Sequence, residues 1–141
     1  MNKQILWGVA MWAVAGAAMA QAQTYEFDKV HSQLHASVSH LGFSNSTARF
    51  HIKDGSLSFN AEDWTQSKVD VEIDAASIDL GDATWKDHLS GAKWFDLAGF
   101  PTMRFVSTKV EKVGDKGLKI SGDLTLKGVT KPVVLNATLN G

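Results

Sequence analysis

The chain has 141 residues, no cysteine, and 14 Lys and Arg against 15 Asp and Glu, for a formal net charge of −1. That length suits one domain with a single core. The missing cysteines exclude disulfides, thiolate nucleophiles, thiolate metal sites and lipoprotein attachment, and a near-neutral charge without long like-charge runs removes the electrostatic warrant for binding nucleic acid or an anionic membrane surface.

Residues 1–22 have the build of a secretory signal peptide: Lys3 supplies a positive start, Ile5 to Ala18 is an apolar run of fourteen residues, and Ala18-Met19-Ala20 or Ala20-Gln21-Ala22 offers a small-x-small cleavage site. The run is shorter than the roughly twenty residues a membrane-spanning helix needs. The expectation is therefore an exported protein with no stable membrane span after cleavage, and one mature domain over residues 23–141. Losing Lys3 with the leader leaves 13 basic against 15 acidic residues.

From Gln33 onward the sequence alternates with period two, the mark of strands that bury one face. Leu34, Ala36 and Val38 alternate with Gln33, His35, Ser37 and Ser39. Arg49 to Lys53 and Ser56 to Phe59 are strand candidates separated by Asp54-Gly55, which reads as a tight hairpin. Val69, Val71 and Ile73 then alternate with Asp70, Glu72 and Asp74.

The period breaks once. Over Thr84 to Lys93 the spacing predicts a short helix: Asp82 can cap its start, Trp85 and Leu89 lie four apart on one face, and Gly91 can end it. An aromatic exit follows, with Trp94, Phe95, Phe100 and Phe105. Two of the three tryptophans beyond the leader fall in this stretch, so it suits the covered mouth of a hollow better than the decoration of a solid sandwich.

Alternation resumes at Met103 to Val113. Leu118, Ile120, Leu124 and Leu126 then alternate with Lys119, Ser121, Asp123 and Thr125, with Gly122 on the apolar side to relieve crowding or allow a bend. Val133, Leu135, Ala137 and Leu139 close the series, and turns are expected at Gly114 to Gly117 and at Lys127-Gly128. The final Asn140-Gly141 is a strong hairpin signal with no strand after it, so the sequence reads as cut short and its last strand as an unpaired edge. The class is all-β and antiparallel with one short helix; a barrel with a covered mouth and two stacked sheets both satisfy the pattern.

Chemistry is sparse. His31 and His35 sit about 13 Å apart on a straight strand, too far to share a metal whose nitrogen ligands lie about 2 Å away. His40 falls on the side of Leu34 and Val38, as a structural histidine or a polar contact for a ligand head group. No Gly-x-Ser-x-Gly elbow, phosphate-binding glycine loop or Walker lysine is present. Asp70, Glu72 and Asp74 read as a solvated outer face. The sequence therefore points to a binding protein. Either an apolar cavity takes a long hydrocarbon, at about 0.8 kcal/mol per buried CH₂, or a solid β-sandwich meets another protein through an exposed edge strand.

Tyr25-x-Phe27-Asp28-x-x-His31-Ser32-x-Leu34 with Ser37-Val38-x-His40-Leu41-Gly42-Phe43 resembles the opening of the YceI-like family of exported lipid-binding proteins. Ala76-Ser77-Ile78-Asp79, Asp87-His88-Leu89, Trp94-Phe95-Asp96, Phe100-Pro101-x-x-x-Phe105-x-Ser107 and Gly122-Asp123-Leu124-Thr125-Leu126-x-Gly128-Val129-Thr130-Lys131-Pro132-Val133 are similar to that family's later signatures, in order. The resemblance implies a lipocalin-like antiparallel β-barrel with a helix near its mouth. Such a barrel holds a polyisoprenoid or similar amphiphile in the bacterial periplasm for transport, storage or stress response, without catalysis, metal or other cofactor. On that reading Leu34, Ala36, Val38, Val71, Ile73, Ile120 and Leu124 line the lumen. Trp85, Leu89, Trp94, Phe95 and Phe105 form the mouth, and His40 contacts the head group. The chain departs from the family's pattern at Ala48, where glycine is usual, and at Gly141, beyond which members continue; pairing into a homodimer is one way to cover the edge so left.

Overall fold

The computed structural model describes residues 21–140, so the expected leader up to Ala20 and the final Gly141 lie outside the described residues. Seven antiparallel strands form one sheet: β1 (Gln23–Glu26), β2 (Gln33–His40), β3 (Ser44–Phe59), β4 (Lys68–Asp79), β5 (Thr102–Val113), β6 (Gly117–Leu126) and β7 (Val129–Thr138). The helix α1 spans Ala83–Ser90, and a 3-10 turn covers Trp64–Gln66. The class is the expected one, an all-β lipocalin-like antiparallel sheet with one short helix, and the described strands share one sheet instead of two stacked ones. Among the described residues β7 pairs only with β6, so the sheet is not closed into a ring.

The long strand β3 organises one edge, because β1 pairs with its second half (Gln23 opposite Phe59) and β2 with its first (Gln33 opposite His51). Asp28 shapes the break between β1 and β2: its carboxylate accepts from Val30 N and His31 N, and its other oxygen lies 2.6 Å from His31 Nδ1. The expected hairpin at Asp54-Gly55 is not there. Both flanking segments pair with β4, and the Asp-Gly pair is absorbed beside a register shift between Ile52 and Asp54. Gly55 adopts φ 145°, and a Cβ there would stand 2.5 Å from the Asp70 carbonyl oxygen, so the glycine serves close backbone approach instead of a turn.

Bulges decide which side chains face inward. Between the Arg49–Asp79 and His51–Asp74 pairs, β4 carries four residues against one on β3. Asp74 Oδ1 ties that excess down by accepting from Ala76 N and Ser77 N. As a result Ala75 and Ile78, three apart, are both fully buried. A further shift, between Ser107 and Lys109, lets Phe105 and Val110, five apart, both be buried.

The helix forms as its sequence dictates. The Asp82 side chain accepts from Trp85 N at 2.8 Å and Gly91 follows the last turn, so the helix stops at Ser90, short of the predicted end at Lys93.

Candidate functional site

The inner face of the sheet has two unlike halves. Over β3, β4 and the start of β5, a core of Ala48, Phe50, Ile73, Ala75, Ile78 and Met103 is capped by Leu89 from α1 and by Phe95 and Leu97 from its exit. The Phe50 and Phe95 rings lie 6.0 Å apart and tilted by 59°, an edge-to-face packing. That half is filled.

Over β5, β6 and β7, register pairs Ile120 with Leu135, Gly122 with Val133 and Leu126 with Val129, so these side chains share the inner face with Leu118 and Leu124. The exit of α1 reaches this half only at the β6–β7 turn, where Phe100 lies against Gly128. Leu118, Ile120, Leu124 and Val133 are half-buried, while Leu126, Val129 and Leu135 are exposed. Phe105 forms the boundary: it is buried, and a Cβ on Gly122 would stand 2.5 Å from its Cζ. Gly122 thus makes room for the ring, the crowding relief its place in the sequence suggested.

One end of the open half is latched. Lys127 Nζ donates to the carbonyls of Ala92 (2.5 Å) and Trp94 (2.9 Å). Beside that latch Lys93, Trp94, Phe95, Leu126 and Lys127 line a mostly apolar recess of about 230 Å³, below the roughly 300 Å³ at which small-molecule sites usually begin. It is an entrance, continuous at Leu126 with the open face.

A larger depression of about 470 Å³, lined by Asp54, Ser56, Asp70, Glu72 and Arg104, lies on the outer face. Its charges are spent on one another: Arg104 forks onto both oxygens of Asp70, Lys53 pairs with Glu72, and Lys29 lies 3.8 Å from Asp54. The hydrogen-bonded Arg104 guanidinium holds the Asp70 carboxyl below its usual range. This is the solvated face expected of Asp70, Glu72 and Asp74. Among the described residues no cluster of His, Cys, Asp and Glu could hold a metal ion.

The expected site residues divide between these regions. Ile73, Leu89, Phe95 and Phe105 are packed in or against the filled half and its boundary; Leu34 and Val71 are half-buried at its margin. Ile120 and Leu124 face the open half. Trp85 and Trp94 are exposed near the helix, with the Trp94 ring 5.7 Å from His88. Ala36, Val38 and His40 are exposed toward the tip of the β2–β3 hairpin, so the structure does not bring them together with Ile120 and Leu124.

Residues 25–141 match the YceI-like domain. The chain belongs to the YceI-like family. It is 40% identical over 131 residues to a UPF0312 protein of Pseudomonas savastanoi, covering 92% of this chain and 68% of that one. Against a UPF0312 protein of Photorhabdus laumondii the identity is 38% over 144 residues, covering all of this chain and 74% of the relative. Among solved structures, BcnA of Burkholderia cenocepacia superposes with a TM-score of 0.68 at 28% identity, covering 77% of this chain and 70% of that one. The YCEI protein of Campylobacter jejuni gives 0.63 at 32%, covering 83% and 68%.

In this YceI-like chain two residues outside the expected set stand out. Trp64 closes the far end of the sheet against Phe59 (5.8 Å between rings) with the Lys112 ammonium 4.4 Å above it. Lys131 pairs with Leu124 in register, which puts a cation on the open apolar face. The polar step in the Leu126-to-Leu135 alternation was its signal: Val129, Lys131 and Val133 share one parity.

Proposed function

We propose that this chain is an exported, non-catalytic carrier that lays a long apolar lipid, of the polyisoprenoid kind, along the inner face of β5, β6 and β7 in the periplasm. The observation that carries the reading is the uncovered apolar face of Leu118, Ile120, Leu124, Leu126, Val133 and Leu135 beside a half already filled by α1. Each methylene laid on it gains about 0.8 kcal/mol, so a long tail binds tightly with few polar contacts. Phe105 and Val71 end the groove, Trp94 stands at its entrance, and Lys131 takes the role of head-group contact that the sequence suggested for His40. Membership of the YceI-like family and the leader-like start of the sequence support the same reading.

The test is to express the full chain with its own leader, purify it from the periplasmic fraction and weigh it by native mass spectrometry. A lipid adduct released on denaturation is expected. A ligand-free protein whose tryptophan fluorescence also ignores added polyprenol would overturn the proposal.

A further inference from the structure

The β2–β3 hairpin projects from the end of the sheet that carries α1. Arg49 is the last β3 residue paired with β4, opposite Asp79, yet β3 begins at Ser44, paired with His40 of β2. At about 3.3 Å per residue, those five extra residues carry the turn on the order of 16 Å beyond the β3–β4 ladder. At the turn Leu41 is 81% exposed and Phe43 92%, with Val38 on the adjoining strand at 65%.

Three features distinguish this tip from an ordinary loop. First, no Asp, Glu, Lys or Arg occurs from Val30 to Ala48, nineteen residues in a chain where a fifth of positions are charged. Second, the turn is built: Phe43 N donates to the His40 carbonyl at 3.0 Å and Gly42 N to Ser39 Oγ at 3.3 Å. Third, Leu41 holds φ +53°, a left-handed conformation unfavourable for leucine where glycine or asparagine is the ordinary choice. A turn needing only solubility would not hold leucine there and display phenylalanine beside it. An uncharged, ordered loop with apolar tips matches the acyl boundary of a bilayer, where charges are costly and apolar area is gained.

We propose that the Leu41–Phe43 turn docks the protein on a lipid bilayer by inserting Leu41 and Phe43 among the acyl chains. This deepens the carrier reading, because it sets the entrance end of the sheet against the membrane that gives up or receives the lipid. With no charge on the hairpin, the attachment is insensitive to salt and does not need anionic lipid.

Flotation of the purified full chain with vesicles of phosphatidylcholine and phosphatidylethanolamine tests it, at low and high salt. Wild-type protein is expected to float equally at both. The double variant Leu41→Ser with Phe43→Ser should lose at least about tenfold in partitioning, keep its thermal midpoint and keep any co-purified lipid. Wild-type protein that stays with the soluble fraction, a variant that floats like wild type, or binding abolished by salt would overturn the proposal. So would sedimentation showing a dimer that the double variant dissociates, since a second copy would then cover the tip. Co-purified lipid is scored separately, so failure to dock is distinguishable from failure to carry.

Discussion

The inner face around Phe50 and the inner face around Ile120 come from the same alternating pattern, yet only the first is covered. Over Phe50 the chain itself supplies the cover, through Leu89, Phe95 and Leu97. Over Leu124 and Leu135 the described residues supply no comparable cover, and Leu126 and Leu135 remain in contact with solvent. Alternation therefore says which face of a strand is apolar, while the element laid across it says whether that face is core or binding surface. The helix and its exit are less a lid over a hollow than a plug that finishes one half and leaves its neighbour for a ligand.

The sharpest way to break this comparison is to truncate one large side chain in each half. Phe50→Ala should cost about 3–5 kcal/mol in chemical denaturation, because it leaves a cavity in the buried core beside Phe95. Leu135→Ala should cost less than about 1 kcal/mol. Similar losses at the two positions would mean the halves are equally filled.

The boundary is the next place to press. Gly122→Val would set carbon 2.5 Å from both the Phe105 ring and the Val106 carbonyl oxygen, so a loss of about 1–3 kcal/mol is expected from overpacking. An unchanged melting temperature would show that Phe105 has room to move. Within the open half, Leu135→Glu should leave stability within about 1 kcal/mol while reducing the lipid mass seen by native mass spectrometry; undiminished lipid would remove β7 from the site.

The smallest effect belongs to the outer face. Asp70 has its folded pKa depressed by Arg104, so the pair's contribution is present above the unfolded value near 4 and is lost as pH falls through the folded one. Stability should therefore decline slightly on acidification below about pH 4, and less so in Asp70→Asn. Lipid content should not change with that variant, since the outer charges do not touch the inner face.

Much of this was legible from residue order. Period two placed β2 and β4 to β7, though not β1 or the full length of β3; Asp82 and Gly91 bounded α1, and an ordered run of motifs from Tyr25 to Val133 indicated the family. What escaped reading came from pairing at a distance. Asp54-Gly55 has hairpin chemistry, but the segments on both sides find the same partner in β4, so the glycine became a close-approach site. The bulge that turns both Ala75 and Ile78 inward is held by hydrogen bonds that the Asp74 carboxylate accepts from Ala76 N and Ser77 N, which no local period reveals. His40 has the parity of Leu34, but parity carries no information on how far past the neighbouring strand a hairpin extends. Leu89 and Phe95 were legible as aromatic and apolar, though not as the plug of one half.

Photo-crosslinking with a diazirine-bearing polyprenol, followed by peptide mass mapping, addresses the central claim most directly. Adducts confined to β6 and β7, around Ile120, Leu124 and Leu135, are predicted. Adducts centred on β3 and β4, or none above a soluble diazirine control, would contradict the division of the sheet into a filled half and a half left open for lipid.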